Sequence, residues 1–68
     1  MIKIDKLFEI LNKHSLILDA LYKYQEVELD EETMKDLLEF DLIYYKKGEL
    51  YLDEITRKFF DSIYEEVL

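Results

Sequence analysis

One glycine, Gly48, and no proline punctuate the 68 residues of this chain. Glycine enters the left-handed backbone region of tight turns at no steric cost. Proline, the usual helix breaker, is absent. The chain therefore has no linker, and its tightest reversal is expected at residue 48. Leu42–Lys46 and Glu49–Asp53 flank that point and carry Tyr44, Tyr45 and Tyr51, which suit strands. The pattern predicts a β-hairpin turning over Lys46-Lys47-Gly48-Glu49, with Gly48 at positive φ.

Helical spacing surrounds the hairpin. Ile4, Leu7, Phe8 and Leu11 recur at i, i+3, i+4 and i+7 and predict a helix from about Asp5, its cap, to Lys13. Ser15 is placed to cap a second helix running to Tyr24 or Gln25, whose broad apolar set (Leu16, Ile17, Leu18, Ala20, Leu21, Tyr22, Tyr24) predicts the most buried helix. Val27 alternates with Glu26 and Glu28 and predicts a short strand. Asp30 caps a third helix with Glu31 and Glu32 in its first turn, where carboxylates meet the positive end of the dipole. Met34, Leu37, Leu38 and Leu42 form its expected inner face; Glu31, Glu32, Lys35, Asp36 and Glu39 its solvent face. Asp53 caps a last helix with an apolar stripe of Ile55, Phe59, Ile63 and Val67, flanked by Phe60 and Tyr64. The fold class expected is mostly helical α+β: three helices, a two-stranded hairpin at about 42–53, and a C-terminal helix, in one domain spanning 1–68.

So short a chain buries only about 60% of its unfolded surface, which favours pairing with a partner or a second copy. Ten aromatic residues, six of them Tyr, are generous for such a core and point to exposed rings. With no cysteine, disulfides and thiolate metal sites are excluded, and a cytoplasmic location is expected. Met1 to Leu11 carry charges every two or three positions, unlike a secretory signal, and no apolar run reaches membrane-spanning length.

The segment Leu37-Leu38-Glu39-Phe40-Asp41-Leu42-Ile43, then Gly48, then Tyr51-Leu52-Asp53-Glu54 resembles the end of a winged helix-turn-helix domain, in its small archaeal or archaeal-virus form. In that family the third helix runs into LLE-x-G-L-I, a glycine-turned wing follows, and Y-x-L-T-E-x-G opens the closing helix. The match covers about residues 30–60. Asp41 stands where the family has Gly, Asp53 where it has Thr, and Thr56 where it has Gly. The resemblance implies a third helix that enters the DNA major groove and a wing that touches the backbone.

Charge opposes that use. Net charge is −8, from 17 acidic and 9 basic residues. Residues 30–41 alone hold six acids (Asp30, Glu31, Glu32, Asp36, Glu39, Asp41) against Lys35. DNA affinity rests on Lys and Arg displacing counterions, so a helix this acidic is unsuited to the groove. The function expected is that of a non-catalytic, self-associating protein-interaction module. Its acidic face (Glu31, Glu32, Asp36, Glu39) would dock protein, and Phe59, Phe60, Ile63, Tyr64 and Val67 would form the homodimer contact. One alternative is a dimeric DNA-binding transcriptional regulator acting through its wing (Tyr44, Tyr45, Lys46, Lys47, Gly48), with a second small basic cluster at Arg57 and Lys58. Another is an inhibitor that imitates DNA charge. His14 is expected to close the first helix. No motif implies a catalytic residue, a cofactor, a metal or a small-molecule substrate.

Overall fold

The computed structural model describes residues 3–67, with side chains as far as Glu65. Its elements run α1 (Lys3–Lys13), α2 (Ser15–Tyr22), α3 (Glu31–Glu39), β1 (Ile43–Lys46), β2 (Glu49–Leu52) and α4 (Glu54–Val67). This is the mostly helical α+β layout expected, with one antiparallel hairpin before the C-terminal helix.

The hairpin forms where the lone glycine predicts. Ile43 pairs with Leu52, Tyr44 with Tyr51, Tyr45 with Leu50 and Lys46 with Glu49. Lys47 at φ 53° and Gly48 at φ 78° give both central turn residues positive φ, the type I′ geometry that matches strand twist. The N–H of Asp53 donates to the carbonyl of Leu42 at 2.8 Å and extends the ladder by one bond. Alternation then sorts the faces. Ile43, Leu50 and Leu52 turn to the core, while Tyr44, Lys46, Glu49 and Tyr51 share the outer face.

Ile10, Leu18, Leu21, Leu37, Leu42, Ile43 and Leu52 form the buried core. One residue, His14, separates α1 from α2. It is buried and stands at the N-cap of α2. Ser15, expected as that cap, is instead the first helical residue, and no side chain caps α2. Asp5, expected as the cap of α1, lies inside its first turn. Ile10 is the buried residue of α1, whereas Ile4 and Phe8 from the expected stripe are exposed.

Asp30 and Asp53 cap as expected. Asp30 accepts from the N–H of Thr33 at 2.8 Å. Asp53 Oδ2 accepts from the N–H groups of Ile55 and Thr56, both at 3.1 Å, and from the Thr56 hydroxyl at 3.3 Å.

Helices α2 and α3 end alike. The N–H of Gln25 donates to the carbonyl of Ala20 and that of Tyr24 to Leu21; Leu42 and Asp41 donate likewise to Leu37 and Leu38. This crossed pair of bonds needs a left-handed residue after the cap, normally Gly. Here Tyr24 (φ 59°) and Asp41 (φ 54°) take that role. Helix α2 therefore stops at Tyr22, short of the expected Tyr24 or Gln25. Glu26–Leu29 run without strand pairing, so the strand expected at Val27 is absent: the backbone leaves this helix end as a loop and does not join the sheet.

Two buried faces differ from expectation. Leu16 and Tyr24, assigned to the buried stripe of α2, are 86% and 71% exposed. On α3, Thr33 and Leu37 are buried while Leu38 is exposed.

Candidate functional site

Glu32, Asp36 and Glu39 recur along one flank of α3, and that flank lies against α1. Lys6 Nζ donates to Glu39 at 2.8 Å, Lys13 Nζ to Glu32 at 3.0 Å, and His14 Nε2 to Asp36 at 2.8 Å. Lys13 also stands 3.7 Å from Asp36. The hydrogen bond from His14, aided by the charge of Lys13, holds the Asp36 carboxyl below its ordinary range. Bonds to Glu39 and Glu32 raise Lys6 and Lys13 correspondingly. Of the expected acidic docking face, three members are thus engaged within the molecule, Glu39 and Glu32 by lysines and Asp36 by His14. Glu31 is left on the outermost ridge with Lys35 and Leu38. The acidity that the sequence concentrates on α3 joins it to α1, while Leu38 lies on the exposed side of the helix.

The outer face of the hairpin forms a second region. Tyr44, Lys46, Lys47, Glu49, Tyr51, Leu52, Glu54, Tyr24 and Arg57 line an open cleft of about 510 Å³. The rings of Tyr44 and Tyr51 stack across the strands, centroids 5.7 Å apart. Tyr51 donates to Glu49 at 2.7 Å, which raises its own phenol pKa. The Tyr24 ring lies 4.3 Å from the Arg57 guanidinium carbon. Among the described residues, neither Lys46 nor Lys47 forms an ion pair. The cleft therefore holds three cations against two carboxylates, in a chain of net charge −8. Tyr45 points to the opposite face, where its hydroxyl lies 3.8 Å from the sulfur of Met34. Of the two tyrosines expected to assist the wing, only Tyr44 joins this cleft.

Arg57 is the residue that sequence reasoning missed most. Expected as a free basic group beside Lys58, it is committed within the molecule. Its Nη1 donates to the carbonyl of Tyr22 at 2.9 Å and its Nη2 to that of Leu21 at 3.2 Å. It thereby satisfies the end of α2 and ties α4 to it. Tyr22 reinforces the joint by donating to Asp61 at 2.5 Å and stacking on Tyr64 at 4.7 Å. Tyr64 in turn donates to Asp19. The spacing of Arg57 from the start of α4 marks the face it shares with Phe60 and Tyr64, but not the helix end it reaches.

Because α4 docks through Thr56, Arg57, Phe60, Asp61 and Tyr64, its apolar stripe turns outward. Ile55 is 78%, Phe59 54% and Ile63 45% exposed. Val67, the fourth member of the expected stripe, has its side chain outside the described residues. Of the expected dimer contact, Phe60 is half-buried against the core and Tyr64 is tied to Asp19.

Among the described residues, no group of His, Asp and Glu is placed to hold a metal ion, and no helix is long and apolar enough to cross a membrane. Comparison of the chain with family models, curated proteins and solved structures finds no match.

Proposed function

We propose that this chain is a non-catalytic interaction module whose first partner is a second copy of itself, joined through α4. The observation that carries this is the exposed line Ile55, Phe59, Ile63 at i, i+4, i+8, on a helix whose other face is already docked. A folded monomer gains nothing from three large apolar side chains in water. A twofold pairing of α4 antiparallel to its copy sets Ile55 of one chain against Ile63 of the other, with Phe59 against Phe59.

Three side chains per copy are fewer than a standard interface presents. Six side chains, each with roughly half its surface left to bury, contribute on the order of 5–9 kcal/mol before the cost of association. Even at the lowest association cost, about 4 kcal/mol, at most about 5 kcal/mol remains, so the dimer is weak, with a dissociation constant near the millimolar range. Sedimentation across that range tests it, with Phe59→Glu as the variant that breaks the contact.

A winged-helix-like reading of residues 30–60 is supported by the order helix, hairpin, helix and by Asp41. Asp41 adopts the left-handed conformation at the position where the resembling family carries Gly. A second functional reading, a DNA-binding regulator, draws support from the ion-pair-free Lys46 and Lys47 at the hairpin tip and from the two lysines that pair the flank of α3. It predicts duplex binding that weakens steeply with salt and is lost on Lys46→Glu with Lys47→Glu.

A further inference from the structure

Tyr24 combines three properties that seldom meet. Its backbone is left-handed at φ 59°, its ring is largely exposed, and the ring lies over the Arg57 guanidinium. A bulky L residue in that region is strained, and the turn would accept Gly without strain. The cost keeps a ring, held face-on by a cation, at the mouth of the cleft on the outer hairpin face. Stacked Tyr44 and Tyr51 form a neighbouring wall, and Lys46 and Lys47 stand at its tip. Planar faces beside unpaired cations match a ligand that is itself planar at one end and anionic at the other. The cleft volume suits a group of that size.

We propose that this cleft binds a nucleobase carrying a phosphate, the base stacking on Tyr24 and Tyr44 and the phosphate meeting Lys46 and Lys47. Arg57 is a positioning residue: its bonds to α2 and its contact with Tyr24 hold the platform. The negative charge of the rest of the chain limits the ligand to one or a few nucleotides, because a long polyanion would meet repulsion beyond the cleft. The ligand is therefore a free nucleotide or a short single-stranded stretch of nucleic acid. The exposed stripe of α4 takes no part, so this site stands or falls independently of self-association.

The test is fluorescence anisotropy of a dye-labelled short oligothymidylate titrated with the intact protein at low salt. Thymidine monophosphate, inorganic phosphate and an unlabelled duplex serve as competitors. Saturable binding is expected. Tyr44→Ala should weaken it by roughly five- to hundredfold, the range for removal of one base–aromatic stack, while Tyr44→Phe retains it. Lys46→Gln with Lys47→Gln should flatten the salt dependence, its slope falling by about 0.7 for each phosphate that a lysine no longer neutralises. Displacement by thymidine monophosphate identifies a free-nucleotide site; displacement only by unlabelled single strand identifies a strand site. Three results overturn the proposal: no binding up to high micromolar protein, Tyr44→Ala binding like the unmodified chain, or displacement by inorganic phosphate or duplex as effective as by the nucleotide or single strand. Melting curves of the variants separate loss of the site from loss of the fold.

Discussion

Replacing Arg57 by Met keeps the length of the side chain and removes its donors and its charge. Two hydrogen bonds to the carbonyls of Leu21 and Tyr22 disappear, as does the cation over Tyr24. Each hydrogen bond contributes about 1 kcal/mol net at a half-exposed site. The cation–π contact adds about 0.5–1 kcal/mol. The loss is therefore about 2–3 kcal/mol. A chain of this size has a total stability of only about 3–10 kcal/mol, and each kcal/mol moves the melting midpoint by about 4–8 °C. Arg57→Met should lower the midpoint by about 10–20 °C in a thermal scan followed by circular dichroism. Arg57→Lys keeps the charge but cannot present two N–H groups as a planar fork, so it should recover only a minor part. A midpoint for Arg57→Met within about 3 °C of the parent would refute the view that Arg57 ties α4 to α2.

Other outcomes follow from the backbone and the charges. Gly48→Ala meets no atom within 4 Å of the added carbon, so its cost is conformational alone, about 1 kcal/mol, read from a denaturant midpoint. Asp41→Gly relieves a left-handed non-glycine residue and should stabilise the fold by about 0.5–1 kcal/mol in the same assay; a destabilised variant would show that Asp41 does more than end α3. Asp19, Asp30 and Asp36 are held below their ordinary value of 3.8, foremost by bonds from Tyr64, Thr33 and His14 respectively. The unfolded chain then binds more protons as pH falls through 3.8, so stability present above that value is lost progressively below it. Asp36→Asn should make that acid limb of an unfolding titration shallower. At the other end, Lys6, Lys13 and Lys23 are raised above 10.5 and Tyr22, Tyr51 and Tyr64 above 10.0, chiefly by bonds to carboxylates. Their contribution is complete below those values and is lost as pH rises through the raised ones. Phenolate absorbance should show Tyr22, Tyr51 and Tyr64 ionising above pH 10.0.

What the sequence made legible was local. Gly48 between two tyrosine-rich runs placed the hairpin, and Asp30 and Asp53 marked two helix starts through contacts three residues away. The helix faces were less legible, because partners distant in sequence decide them. Glu32, Asp36 and Glu39 read as a solvent face until Lys13, His14 and Lys6 are laid against them. Leu38, which periodicity alone would bury, is exposed on the same helix. Arg57 and Lys58 read as equals, yet only Arg57 lies on the side of α4 that meets the end of α2. Tyr24 read as part of an apolar stripe and Asp41 as a departure from a family glycine, whereas crossed hydrogen bonds impose the left-handed conformation on both. Of the cleft, Tyr44, Lys46 and Lys47 were visible in sequence; Tyr24, Tyr51 and Arg57 join them only through the fold.

Sedimentation equilibrium of the intact chain from micromolar to about millimolar concentration tests self-association through α4 most directly. The mass should rise from monomer toward dimer with concentration. Phe59→Glu should remain monomeric throughout, with an unchanged circular dichroism spectrum. A parent chain that stays monomeric to the top of that range would contradict the pairing, as would a Phe59→Glu variant that associates like the parent.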